Sequence, residues 1–384
     1  MSEATPQPAG AADDAFSSPT VRRLRQAGGV WALPGGRICI PGEFGFCRGV
    51  RSALTRLQRL LQEPGPTDGR IVLLGEIIHN PWVNEHFRQR GVEILSPEHF
   101  GRLGEDLTAA DWAVIPAFGV PPAVSRQLEA IGCRTLDTTC GDVLRLRKWA
   151  ERQLADGYAA LIFGRAGHDE TAVTISRLAE AGGRYVVVES LAQCEAFAEQ
   201  IAATDEQQRP PSEAFGPART NAESWAQLHR LCQVSQTTML YDETMEVRRM
   251  VQRAFAERFG PAEADRRLAF QPTVCRATQN RQAAAEQLCD DCDLAVVVGG
   301  FGSSNTRHLY ELARRHVPAW FIEDADAILS AEVIRAWDAD ARAAVPQSGW
   351  LPGRRPLDMA VLAGASTPEA VVGQAIDRLA GLLG

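Results

Sequence analysis

Short apolar runs alternate along this chain with stretches whose apolar residues recur every three or four positions. The first pattern is that of buried strands and the second that of one-sided helices, so strand and helix are predicted in turn. The strand-like runs are Ile38-Cys-Ile40, Ile71-Val-Leu-Leu74, Trp112-Ala-Val-Ile115, Ala159-Ala-Leu-Ile-Phe163, Tyr185-Val-Val-Val188, Leu294-Ala-Val-Val-Val298, Ala319-Trp-Phe-Ile322 and Met359-Ala-Val-Leu362. Helical spacing follows Cys47 through Val50, Ala53, Leu54, Leu57 and Leu61, and returns near 124–130, 143–154, 243–259, 280–288 and 306–315. Such alternation predicts parallel sheets flanked by helices, an α/β protein.

The same pattern divides the chain. Residues 1–36 read as a disordered or surface extension: 1–20 are rich in Ala, Pro, Ser and Asp without periodicity, and 20–36 are expected to run across the surface. Three α/β lobes are expected over 37–139, 140–274 and 275–358, with 359–384 returning to the core. Residues 204–221, polar and carrying Pro210-Pro211, read as an insertion loop, and Pro346–Pro356 as another loop.

Composition narrows the function classes. A net charge of −8 argues against a general nucleic-acid role, and no apolar run has the length of a membrane span. The N-terminus lacks a basic segment followed by an apolar one, so a cytoplasmic location is expected. Nine cysteines without close, regular spacing do not form a disulfide framework. Cys39, Cys133, Cys194 and Cys232 lie in or beside apolar segments and read as structural. Cys289-x-x-Cys292 has no second pair to complete a zinc site and reads the same way.

Cys47, Cys140 and Cys275 differ, because each stands where a strand-like run turns into a helix. A helix N-terminus leaves N–H groups unpaired and carries positive partial charge, so a thiol there ionises more easily and makes a better metal ligand. One shared metal centre is the reading that joins them.

Other loops admit two readings. Ser303-Ser-Asn305 and Ser366-Thr-Pro-Glu369 fit an anion cradle, but each taken alone is read first as a plain helix cap. His79 and His168 each follow an apolar strand, as ligands or as ordinary polar residues. Glu170 is a proton donor or a solvated helix-start carboxylate, and Thr237-Thr238 are its partners or turn residues.

Taken together, eight motifs in order resemble the 4-hydroxy-3-methylbut-2-enyl diphosphate reductase (IspH/LytB) family over about residues 38–375. They are Gly45-Phe-Cys-Arg-Gly-Val50, Ile78-His-Asn80, Asp137-Thr-Thr-Cys140, Gly167-His-Asp-Glu170, Gln236-Thr-Thr238, Cys275-Arg-Ala-Thr-Gln-Asn-Arg-Gln282, Ser303-Ser-Asn305 and Gly364-Ala-Ser-Thr-Pro368. The resemblance implies a cloverleaf of three α/β lobes around a [4Fe-4S] cluster, with Cys47, Cys140 and Cys275 as its ligands and one iron open to the substrate hydroxyl. It implies Glu170 as proton source with Thr237 as relay, and His79, His168, Thr238, Ser303, Ser304, Asn305 and Ser366 around a diphosphate. Two electrons and two protons would remove an allylic hydroxyl as water. Ferredoxin or flavodoxin would supply the electrons, since no nucleotide-binding glycine fingerprint is present.

This sequence departs from the family's pattern in places. Phe118 stands where the family has a diphosphate-binding histidine, and Gly141-Asp142 replaces a proline and an apolar residue. Phe301-Gly302 before the serine pair differs as well. These departures leave a second reading, the same cluster chemistry on a different allylic or aryl substrate, with Phe118 packing on an apolar part. A non-enzymatic iron–sulfur sensor or scaffold is a third, against which the retention of Glu170 with both threonines argues.

Overall fold

The computed structural model describes residues 14–62, 69–203 and 210–384. The chain forms two compact units, one of residues 1–63, 78–89 and 280–384 and one of 64–77 and 90–279. Among the described residues no helix is long and apolar enough to cross a membrane.

The second unit holds two four-stranded sheets, both wholly parallel. In one the order is Val92–Leu95, Ile71–Leu74, Trp112–Ile115, Arg134–Asp137. In the other it is Leu268–Phe270, Leu231–Ser235, Ala159–Phe163, Tyr185–Val188. Every residue of the last three strands is buried. Alternate residues feed two cores: Leu161 and Phe163 pack with Phe197, Val251 and Phe255, while Ala160 and Ile162 pack with Leu146 and Leu178. A strand covered on both faces has no polar side to display, which explains uninterrupted apolar runs.

The first unit holds a five-stranded sheet in the order Val30–Leu33, Gly36–Cys39, Leu357–Ala363, Leu294–Val298, Ala319–Ile322. All its pairings are parallel except the hairpin formed by the first two strands. The strand at Ile38 thus pairs with Met359, far along the chain. Helix Glu369–Leu383 covers this sheet through Val372, Ile376 and Leu379.

Residues 1–13 of the expected tail lie outside the described residues, but 14–33 differ from the expectation. A 3-10 turn at Asp14–Phe16, helix Pro19–Gln26 and strand Val30–Leu33 occupy that span. Phe16, Val21 and Leu24 are buried. Three apolar residues in so short a segment give little periodic signal, yet each finds a partner surface, and Gly373 leaves room for Ser18 against helix Glu369–Leu383.

Of the expected insertion, 204–209 lie outside the described residues. Residues 210–221 include helix Pro211–Phe215 and a bridge from Thr220 to Val186. The Thr220 hydroxyl donates to the Tyr185 carbonyl at 2.6 Å, so this segment covers the exposed edge of the strand. The loop expected at Pro346–Pro356 begins inside a strand. Ala343–Ser348 pairs antiparallel with Val333–Asp338, and Pro346 is tolerated because the ribbon has only two strands.

Each of the three large sheets reverses its order of addition once, and at that point two neighbouring parallel strands send their following loops apart. In open α/β sheets such a point leaves a crevice at the carboxyl ends of the strands, where ligands bind. The reversals fall between Ile71–Leu74 and Trp112–Ile115, between Ala159–Phe163 and Leu231–Ser235, and between Leu294–Val298 and Leu357–Ala363.

Candidate functional site

At the reversal between Ala159–Phe163 and Leu231–Ser235, one loop leads to Glu170 and the other carries Gln236, Thr237 and Thr238. Glu170 is 3% exposed in the first turn of helix Asp169–Glu180. Its Oε1 accepts the Thr237 backbone N–H at 2.7 Å and its Oε2 pairs with the Thr237 hydroxyl at 2.6 Å. The Thr237 carbonyl in turn accepts the Cys275 backbone N–H at 3.1 Å. One residue therefore joins the carboxylate to the cysteine.

His168 caps the same helix. Its Nδ1 accepts the Glu170 N–H at 3.2 Å, so the ring proton stands on Nε2, as a donor. Gln236 steadies both loops: its Nε2 donates to Thr238 Oγ1 at 2.7 Å and its Oε1 accepts from the Arg165 N–H at 3.1 Å.

At the reversal beside Trp112–Ile115, the loop Pro116–Gly119 lies against Ile77, whose carbonyl accepts the Ala117 N–H at 3.3 Å. The Phe118 ring meets the His168 ring edge-on, centroids 5.9 Å apart. Beneath the turn lies Arg147, 4% exposed on helix Gly141–Ala155, which donates from Nη2 to the Phe118 carbonyl. Burial pushes the Arg147 guanidinium down to about 10, against the pull of the Glu170 carboxylate. Arg147 carries no signal of its own in the sequence. Its position interrupts the apolar face Val143, Leu146, Ala150, and that interruption is the feature by which it is found.

In the other unit, at the reversal between Leu294–Val298 and Leu357–Ala363, hydroxyls and an amide converge. The Ser303 hydroxyl caps helix Ser304–Ala313, taking the Thr306 N–H at 3.3 Å, and receives the Ser366 hydroxyl at 3.1 Å. Asn305 is 4% exposed; its Oδ1 accepts the Ala365 N–H at 2.9 Å, while Nδ2 is buried with no hydrogen-bond partner among the described residues. A Cβ on Gly364 would collide with the Thr306 hydroxyl, and one on Gly300 would lie 2.9 Å from the His79 carbonyl. The glycines thus let the two loops meet and bring His79 alongside the serine loop. Of the two serines only Ser303 is a helix cap: Pro368 precedes helix Glu369–Leu383 without a side-chain cap bond, and the Ser366 hydroxyl goes to Ser303 instead.

The cysteines separate into classes. Cys194 and Cys232 are buried, and burial pushes each thiol up to about 12; Cys289 rises to about 11 for the same reason. Cys39 and Cys292, expected to be unremarkable, touch each other, and the hydrogen bond from Cys292 holds the Cys39 thiol below its ordinary range. Cys47, Cys140 and Cys275 are half-exposed and each begins a helix. Cys47 Sγ accepts the Val50 N–H and Cys275 Sγ the Thr278 N–H, both at 3.4 Å.

All three are fastened alike. The Cys47 N–H donates to the Ala365 carbonyl at 3.3 Å, that of Cys140 to Ala117 at 3.0 Å and that of Cys275 to Thr237 at 3.1 Å. Each acceptor belongs to a loop at the reversal point of one sheet. Thus each cysteine is tied to the neighbourhood of a residue singled out in the sequence: Ser366, Phe118 and Thr237 itself.

The family model of the LytB protein matches residues 38–380. This chain belongs to the LytB family. A 4-hydroxy-3-methylbut-2-enyl diphosphate reductase from a Synechococcus species is 35% identical, over 96% of this chain and 92% of the relative. One of the same name from Gloeobacter violaceus is 31% identical, over 96% and 88%. A solved structure of (E)-4-hydroxy-3-methyl-but-2-enyl diphosphate reductase matches with TM-score 0.52 and 25% identity, covering 89% of this chain and 98% of that one. A Plasmodium falciparum E-1-hydroxy-2-methyl-but-2-enyl-4-diphosphate reductase, TM-score 0.63 at 20% identity, shares the fold.

LytB proteins use a [4Fe-4S] cluster. The chemistry of each candidate cysteine suits such a group: Cys47, Cys140 and Cys275 are partly buried thiols at helix N-termini, and two of them already accept N–H groups. Among the described residues no three His, Cys, Asp or Glu side chains gather as a site for a metal ion.

Proposed function

We propose that this LytB protein reductively removes the hydroxyl of 4-hydroxy-3-methylbut-2-enyl diphosphate, yielding isopentenyl and dimethylallyl diphosphate, with ferredoxin or flavodoxin as electron donor. Relatives of that name at 31–35% identity support the substrate. The observation that carries the reading is the hydrogen-bonded run Glu170, Thr237, Cys275, which puts a buried acid two hydrogen-bonded steps from a cysteine of the proposed ligand set.

Cys47, Cys140 and Cys275 would hold the [4Fe-4S] cluster, which when bound supplies electrons and an open iron for the hydroxyl oxygen. The remaining work falls to the chain. Because the Thr237 N–H fixes Glu170 Oε1 as an acceptor, a proton on this carboxyl belongs on Oε2, shared with the Thr237 hydroxyl. A hydroxyl both accepts and donates, so Thr237 can take that proton and pass its own outward. Burial of Glu170 keeps water from competing for it.

The diphosphate would be met by Ser303, Ser304, Asn305 and Ser366, with His79, His168 and Thr238 as further donors. Asn305 Nδ2 is the strongest candidate among them: a buried N–H donor without a partner is costly, and an anionic oxygen would satisfy it. The hydroxyl and amide donors are neutral, so they would hold an anion by their dipoles, beside the N-terminus of helix Ser304–Ala313.

Phe118 favours a second reading. Its ring occupies the edge of His168, where a phosphate oxygen would be offered no hydrogen bond, and an allylic or aryl compound with an apolar portion would fit it. Anaerobic turnover of 4-hydroxy-3-methylbut-2-enyl diphosphate by reconstituted protein with reduced viologen, beside Cys275→Ser, separates the two. Turnover lost in the variant supports the diphosphate reductase. A full cluster with no turnover favours the changed substrate.

A further inference from the structure

Helix Arg48–Gln62 begins directly after Cys47, and its outward face is arginine. Arg48, Arg51, Arg56 and Arg59 are all exposed. At 3.6 residues per turn, positions 48, 51, 52, 55, 56 and 59 share one face, while Ala53, Leu54, Leu57 and Leu60 are buried. The helix has no acidic residue, in a chain with 48 Asp and Glu against 40 Lys and Arg. Among the described residues the side chains of Arg48, Arg56 and Arg59 have no ion-pair or hydrogen-bond partner.

The other two helices that start at ligand cysteines both carry carboxylates. Gly141–Ala155 carries Asp142, paired with Arg145, and Glu151, paired with Arg177. Arg276–Asp290 carries Glu286 and Asp290. The helix that carries none is also the less stable arrangement: arginines three apart repel, and Arg48 and Arg51 stand at the end where the helix dipole favours carboxylates. Such a stripe, about 16 Å from Arg48 to Arg59 at 1.5 Å per residue, is complementary to an acidic surface of similar length.

We propose that the exposed face of helix Arg48–Gln62 is the docking surface for the electron donor, a small acidic one-electron carrier protein. This rests on the reductase reading above, which places Cys47 among the cluster ligands. Each turnover consumes two electrons and two protons: the carbon–oxygen bond breaks, one proton leaves with the hydroxyl as water, and the other forms a new carbon–hydrogen bond with the two electrons. Two donor molecules, each oxidised by one electron, must therefore visit per cycle. Steering by opposite charge raises the encounter rate and lets a weakly held partner leave quickly.

The test compares the full-length holoprotein with Arg56→Glu/Arg59→Glu, both remote from the residues assigned to substrate or cluster. Turnover is driven either by reduced viologen or by a reduced, acidic plant-type [2Fe-2S] ferredoxin, at rising sodium chloride, with a flavodoxin run alongside to distinguish iron–sulfur from flavin carriers. The double variant should keep dye-driven turnover, raise KM for the carrier at least tenfold and lose most of the salt dependence. The milder Arg56→Gln/Arg59→Gln should lie between. An unchanged KM for both carriers overturns the proposal. If the wild-type protein lacks dye-driven turnover, the reductase reading has failed. Titration of the same ferredoxin onto the intact chain then decides the surface: binding abolished by charge reversal supports it, and binding that ignores the reversal overturns it.

Discussion

Two loops at the strand reversal beside Leu231–Ser235 carry a carboxylate gripped by a threonine, while two loops at the reversal beside Leu357–Ala363 carry hydroxyls and an amide. The construction is shared. In both, neighbouring parallel strands diverge into their loops, one loop opens a helix, and one loop carbonyl accepts the N–H of a cysteine, Cys275 in the first and Cys47 in the second. The chemistry is opposite. A carboxylate can store a proton and would repel a diphosphate; the serines and Asn305 can hold an anion and have no proton to spare at neutral pH. The backbone topology thus decides where a site stands, and a handful of loop residues decides what it does.

The comparison predicts that damage on the carboxylate side falls on the chemical step. Glu170→Gln keeps the shape and the bond from the Thr237 N–H but removes the transferable proton. Turnover under saturating substrate should fall by about 10²–10⁴, the usual worth of a positioned acid, with cluster absorbance unchanged. Thr237→Val, which keeps the N–H but removes the hydroxyl, should fall in the same range if the hydroxyl relays the proton. Retained turnover in either variant would remove that residue from the mechanism.

Damage on the hydroxyl side should fall on binding. Asn305→Asp keeps the acceptor for the Ala365 N–H and replaces the unpartnered Nδ2 donor with an oxygen. Loss of a bond to a charged group is worth about 1.5–3 kcal/mol, so KM for the diphosphate should rise by roughly 10- to 150-fold with a smaller change in kcat. A lowered melting temperature with unchanged KM would make Asn305 a loop brace only.

Much of this was legible in the sequence because both signals are local. A buried parallel strand shows itself as an apolar run, as in Leu294–Val298, and a cysteine at a strand-to-helix turn is visible in a few residues. What stayed hidden depends on distant partners. Nothing near Ile38 indicates that its strand pairs with Met359, and nothing near Phe16 or Val21 indicates that they are buried. The pair Cys39 and Cys292 and the carbonyl anchors of Ala117 and Ala365 are likewise contacts across long sequence separations. Arg147 was obscured differently, since an arginine on a helix reads as solvated until its neighbours show that it is enclosed.

Phe118 is the position where the two kinds of site come closest in character, an apolar ring laid against a histidine assigned to bind an anion. Its backbone conformation is held independently of its ring, because Arg147 grips the carbonyl. Phe118→His should therefore leave the turn in place while changing only what the turn presents. A new bond to phosphate is worth about 1.5–3 kcal/mol, and the aromatic contact with His168 that it disturbs about 0.5–1.5 kcal/mol. The difference, about 1 kcal/mol, should lower KM for the diphosphate by about fivefold while kcat stays within twofold, measured by anaerobic steady-state turnover with viologen. A rise in KM would mean that the ring contact with His168 itself shapes the pocket, and that the chain has adapted its anion end around phenylalanine.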